Sequence, residues 1–168
     1  SIVRGKVGKA VEFGLMWGIS RIGGGFLLGT MGRTRKEVDD SRYAIQAVEN
    51  HATLFGSVPR SFAYDRGGYS KENVRTLQER GVRNVGLAPR GRAEWPVKGR
   101  VRDQLIRERT LVEGGIGAVK SPRYGFHRPG ARSVEMMGAC GQRGLLGFNL
   151  TKLVRELPPR RIRRARAA

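Results

Sequence analysis

Between Arg60 and Leu87 the chain alternates in a way that few architectures accept. Gly56-Ser57-Val58-Pro59 breaks what precedes it, and Arg60–Tyr64 reads as a short strand ending at Asp65. Arg66-Gly67-Gly68-Tyr69 turns, Ser70 offers an N-cap oxygen, Val74 and Leu77 sit at helical spacing, and Gly81 stops the helix. Val82–Leu87 then returns as a second strand. Two short strands joined by one helix predict a βαβ crossover, and with it a mixed α/β sheet.

The flanking segments extend that sheet. Residues 1–9 read as a basic loop punctuated by glycine, and Val11–Ser20 (with Phe13, Leu15, Met16, Trp17 and Ile19) suits a largely buried strand. Gly23-Gly24-Gly25 turns the chain and Phe26–Met31 returns, which makes a hairpin. No helix follows these glycines, so a tight turn outweighs a phosphate cradle. After a basic link at Arg33–Lys36, Asp39-Asp40-Ser41 supplies cap oxygens for a helix carrying Ala44, Ile45, Val48, Ala52 and Phe55. Asp39 and Asp40 therefore read as caps rather than catalytic acids. His51 lies on that helix with no second ligand type at metal spacing, and reads as a surface imidazole.

Downstream, Ala88–Arg102 reads as a basic loop in which Trp95 either stacks on a base or pins the loop to the body. Asp103–Lys120 is helical in spacing despite Gly114, Gly115 and Gly117, each costing roughly 1 kcal/mol relative to alanine. Close packing, or close approach of a ligand backbone, would account for them. The basic-aromatic loop Ser121–Pro129 holds Arg123 and Arg128, both candidates for phosphate contacts. Arg132–Leu157 resumes as a long helix with Val134, Met137, Gly141, Leu145, Phe148 and Leu153 inward. Residues 158–168 form a basic tail suited to lie along phosphates without fixed structure.

Composition decides the class of partner. The 168 residues suffice for one domain with a core, and 33 Lys and Arg against 14 Asp and Glu give a net charge of +19. Polyphosphate is the natural counter-charge, so DNA or RNA leads and an anionic membrane surface follows. The apolar runs are too short for a membrane span. The single Cys140 forms no internal disulfide, which favours a reducing cytoplasm, and its Gly and Met neighbours suggest packing rather than nucleophilic chemistry.

Two carboxylates stand out against this basic background. Asp65 sits at a strand's carboxyl end, where open α/β sheets bind ligands. Glu113 lies on the helix face shared by Ile106, Arg109 and Lys120, an arc of about 60° at 100° per residue. An acid flanked by cations can hold a metal while the cations hold phosphate oxygens. The plainer alternatives are an i,i+4 pair between Arg109 and Glu113 on a solvated helix, and a turn-forming role for Asp65.

Ala63-Tyr64-Asp65-Arg66-Gly67-Gly68-Tyr69-Ser70 resembles the second-aspartate segment of DDE-type bacterial insertion-sequence transposases. Arg109-x3-Glu113-x6-Lys120 is similar to the Arg-Glu-Lys part of that family's third-acid signature, with Ile106 standing where the family has Tyr. Further likenesses are Gly5-Lys6-x-Gly8-Lys9-x-Val11-Glu12-Phe13-Gly14 and Phe148-Asn149-Leu150-x-Lys152-Leu153. The nearest group is the loosely gathered, not-yet-classified insertion sequences.

The resemblance implies a partial RNase H-like domain over residues 1–157, its mixed sheet built from the hairpin plus further short strands and packed with helices. It also implies Mg²⁺ (or Mn²⁺) held by Asp65 and Glu113 as second and third acids, and Arg109 and Lys120 on DNA. The chemistry would be cleavage and strand transfer at transposon terminal inverted repeats, with a homodimer on paired ends. The family's first Asp lies on a strand expected upstream of this chain's hairpin. Ser1 in place of Met agrees with an internal or trimmed piece, so the chain alone is expected to bind DNA and cut poorly. The competing reading is a non-catalytic basic DNA-binding fragment or relic in the bacterial cytoplasm, associated with the nucleoid. A ribosome-type RNA protein fits the charge but explains neither Asp65 nor the Arg-Glu-Lys spacing.

Overall fold

The structure, a computed structural model, describes residues 2–6, 9–12, 15–32, 39–89, 91, 94–126 and 130–157, the first two stretches as backbone. The link at 33–36, Arg128 and the tail from 158 lie outside these residues. Among the described residues the architecture is mixed α/β, with four α-helices and three separate two-stranded sheets; the one mixed sheet expected from the sequence does not form, because no strand of the hairpin pairs with the crossover.

Strands β1 (Ile2–Lys6) and β2 (Lys9–Glu12) pair antiparallel, with Val3 opposite Val11. The sequence predicts instead a loop leading into one long strand from Val11. The β-branched Ile2, Val3 and Val11 prevail over the intervening glycines, and the next strand starts at Met16 instead. The expected hairpin follows: β3 (Met16–Arg21) and β4 (Leu27–Gly32) run antiparallel from Met16 opposite Gly32 to Arg21 opposite Leu27. Gly24 and Gly25 hold φ of 73° and 81° in the turn between them, a region only glycine enters without strain.

The crossover also forms as the sequence predicts. Strand β5 (Ser61–Tyr64) lies parallel to β6 (Asn84–Leu87), with Ser61 opposite Asn84. Helix α2 (Lys71–Glu79) joins them, and the Ser70 hydroxyl accepts the Asn73 N–H at 2.9 Å as its cap. The Asn73 side chain donates to the Ser41 and Gly68 carbonyls at 3.0 and 2.9 Å, tying the crossover to the start of α1 (Asp40–Phe55).

Among the described residues two larger apolar clusters, and a smaller one around Tyr43 and Ala47, hold these pieces. One face of the β5–β6 pair (Phe62, Tyr64, Val85, Leu87) packs on Ala44 and Val48 of α1 and Leu77 of α2. The alternate position, Gly86, lies against Leu105 of α3 (Gly99–Val119) on the other face, as the two-residue period of a strand requires. The second cluster joins Leu27, Val119 and Leu145, flanked by Trp17, Tyr124, Phe126 and Phe148. Phe55 is exposed because α1 runs past its core before Gly56 ends it at φ 72°.

Helix α3 begins a turn earlier than expected, at Gly99, since Pro96 is tolerated ahead of a first turn. Of its three late glycines only Gly115 is packed: a Cβ there would lie 3.2 Å from Leu27, whereas Gly114 and Gly117 meet nothing within 4 Å. Helix α4 (Val134–Glu156) uses Gly138, Gly141 and Gly144 to approach Met31, Trp17 and Tyr124. Asn149 brackets Leu27 of β4, accepting its N–H and donating to its carbonyl, both at 2.8 Å. Met137, Gly141, Leu145 and Phe148 are inward as expected. Val134 and Leu153 are exposed, a correction to the predicted inward face.

Candidate functional site

Asp65 follows β5 directly, in extended backbone, before the Arg66-Gly67-Gly68 turn. That turn sits tight against the first turn of α1. A Cβ on Gly67 would lie 2.4 Å from the Asp40 carboxylate, and one on Gly68 would lie 2.4 Å from the Tyr64 ring. Glycine is therefore what lets the loop after β5 reach the N-terminus of α1. Asp40 consequently faces the site. The sequence predicts a capping role for it, yet the N-cap of α1 is Asp39, and Asp39 makes no side-chain cap bond.

Helix α3 crosses the strand ends from the other side. Arg109 Nη2 donates to Asp65 Oδ1 at 2.7 Å, and Arg21 Nη1 at the end of β3 donates to Glu108 Oε2 at 2.6 Å. Because Glu108 and Arg109 are consecutive, the carboxyl ends of β3 and β5 meet the same turn of α3. The guanidinium of Arg109 thus reaches across to Asp65 and does not make the plainer i,i+4 pair with Glu113. Glu113 is exposed one turn further on and makes no ion pair among the described residues.

These side chains line one cleft of about 610 Å³ between β3 and β5, floored by α1 and roofed by α3. Asp40, Asp65, Arg109 and Glu113 all border it, as do Arg21, Tyr43 and Tyr64. Lys120 and Arg123 do not. Both are exposed beyond the far end of α3, with Arg123 lying over the Tyr124 ring at 5.7 Å. Arg128 lies outside the described residues. His51 also borders the cleft, with Nδ1 bonded to the Ser57 carbonyl at 2.9 Å.

Exposed carboxylate oxygens in one cleft are hard donors, the kind that Mg²⁺ or Mn²⁺ takes. Among the described residues, however, no group of three or more Asp, Glu, His or Cys converges closely enough to hold an ion by itself. Arg21, at the end of β3, borders the same cleft and is paired with Glu108. Four carboxylates among the described residues thus border the cleft: Asp65 and Glu108, each paired with an arginine, and Asp40 and Glu113. Nothing in the sequence spacing marks Asp40 for that position, since the contact with the Gly67 turn sets it.

The cleft floor carries two perturbed phenols. Burial pushes the Tyr64 hydroxyl well above its ordinary pKa of 10.0, reinforced by the Asp40 charge, while burial raises Tyr43 against opposing hydrogen bonds from Ser20 and Thr30. Both are neutral in the folded chain at a pH where the unfolded chain ionises. Their contribution is thus complete below pH 10 and lost progressively above it, each removing up to about 1.4 kcal/mol per pH unit. Alkaline unfolding followed by circular dichroism should steepen above pH 10, and Tyr64→Phe should make that limb shallower. An unchanged slope in Tyr64→Phe would refute the assignment.

No family model, curated protein or solved structure matches the chain. No helix among the described residues is long and apolar enough to cross a membrane.

Proposed function

We propose that the chain is a partial catalytic domain of the RNase H-like, DDE-transposase type, which binds DNA through its basic surface and carries two of the acids for metal-dependent phosphodiester cleavage and strand transfer. The observation that carries this reading is that Asp65 and Glu113, far apart in sequence, border one cleft together with Arg109, which pairs with Asp65. The strand end, the crossing helix and the guanidinium are the parts that such chemistry needs in one place.

Asp65 and Glu113 would hold Mg²⁺ or Mn²⁺, which when bound activates an attacking oxygen and stabilises the leaving one. The chain's own residues do the rest. Arg109 holds the Asp65 carboxylate in place while no DNA is bound. When a phosphate enters, the guanidinium exchanges one carboxylate oxygen for a phosphate oxygen, which its forked donors suit. Lys120 and Arg123, and Arg128 with them, hold the duplex further along by charge. The working compartment would be the bacterial cytoplasm, on nucleoid DNA.

A second reading, a basic DNA-binding fragment without catalysis, draws on a specific observation. Arg109 already neutralises Asp65, and Arg21 likewise neutralises Glu108 in the same cleft. Plasmid nicking in Mn²⁺ separates the two. The catalytic reading expects slow nicking that drops to background in Asp65→Asn and in Glu113→Gln, with DNA affinity retained. Nicking that persists in both variants, or none with any metal, leaves the binder.

A further inference from the structure

Helix α4 is apolar on two opposite faces, a pattern that soluble helices show when both faces are covered. One face packs on β3, β4 and Tyr124. The other carries Met136, Ala139, Arg143, Leu146, Leu150 and Leu153, with Leu157 just past the last turn, and every one of them is exposed. Their alternating three- and four-residue spacing is the a/d seam of a coiled coil, held over about three heptads. Leu146 and Leu150 at its middle are 57% and 50% exposed, although a single Lys or Glu at either place would have kept the helix soluble.

We propose that this seam pairs with the same seam of a second copy of the chain, antiparallel. Charge selects the kind of partner. Within Val134–Glu156 the cations Arg143, Lys152 and Arg155 face Glu135 and Glu156, so the helix is nearly neutral in a chain of +19. With Arg143 the one cation in the seam, a polyanion has little to hold there, and two copies repel each other least along this surface. Shape selects the direction. With the two helices antiparallel, Leu146 packs on Leu150 of the second copy, Ala139 receives Leu157, and the Arg143 stem lies on Leu153. A parallel pair would face Arg143 with its own copy in the seam, two like charges out of water. The paired area, on the order of 1,200 Å², is at the lower edge of stable interfaces. None of this rests on the transposition reading.

Sedimentation equilibrium of the full chain without DNA should give a monomer–dimer equilibrium that strengthens with added salt, as repulsion between the two basic bodies is screened. Leu150→Asp, with helix content unchanged by circular dichroism, should be monomeric. In a Cys140→Ala background, a mixture of Leu146→Cys and Leu150→Cys chains should form disulfide-linked dimers well beyond either chain alone. Exposed Leu111→Cys on α3 is the control and should not crosslink. A monomer up to millimolar concentration overturns the proposal, as does a dimer that Leu150→Asp leaves intact. Equal crosslinking in the single-variant samples overturns the antiparallel arrangement.

Discussion

Raising salt from 50 to 200 mM should weaken binding to duplex DNA by about 10³-fold, with little regard to duplex sequence. The reasoning starts from charge. A chain of +19 that neutralises some six phosphates releases as many counterions, and the logarithm of affinity then falls with a slope of about −5 in log salt. Lys120 and Arg123 are exposed beyond the cleft, so each substituted by alanine should flatten the slope by about one. Asp65→Asn and Glu113→Gln should leave it unchanged, because neither releases a counterion. Fluorescence anisotropy across a salt series measures all of this. A slope shallower than about −2 would mean that the charge serves something other than nucleic acid.

Gly141→Val should destabilise the fold by about 3 kcal/mol. A Cβ at Gly141 would fall 2.2 Å from the Trp17 ring, and Trp17 cannot retreat, because the Phe126 ring stands edge-on to it at 5.2 Å. The clash is between a helix backbone and a half-buried indole rather than a flexible tip, so α4 must lift from β3 and β4. Gly114→Ala is the matched control. Nothing lies within 4 Å of its Cβ, and the gain in helix propensity should raise stability by about 1 kcal/mol. Urea unfolding of the two variants should therefore move the midpoint in opposite directions. A common direction would contradict the packing of α4 on the hairpin.

The crossover was legible because each of its signals is local. Ser70 caps, Gly81 stops, and the β-branched Val85 sits in the returning strand, so β5, α2 and β6 fall close to where spacing puts them, β6 beginning at Asn84 rather than Val82. The hairpin at Ile22–Gly25 was legible for the same reason. The leading hairpin was missed because glycine in a strand reads as a loop until a pairing partner is known. The outward face of α4 was missed because periodicity finds an apolar stripe without saying which of two stripes is buried. At the site, Asp65 and Glu113 announced themselves as acids in a basic chain. Asp40 and Arg21 did not, since their place at the cleft comes from tertiary contacts, the Gly67 turn in one case and Glu108 in the other. The Arg109 pairing was misdirected by helical spacing, which offers Glu113 and cannot see Asp65 across the sheet.

The central claim is that Asp65 and Glu113 serve one ion, and Mn²⁺ titration followed by electron paramagnetic resonance reads it without any need for catalysis. The wild-type chain should bind a single Mn²⁺ with a dissociation constant on the order of 10⁻³ M. Asp65→Asn and Glu113→Gln should each abolish that same bound ion, and the double variant should do no more. Arg109→Gln, which frees the Asp65 carboxylate from its ion pair, should tighten binding. If either single variant holds Mn²⁺ as the wild type does, the two carboxylates do not share a metal and the catalytic reading fails.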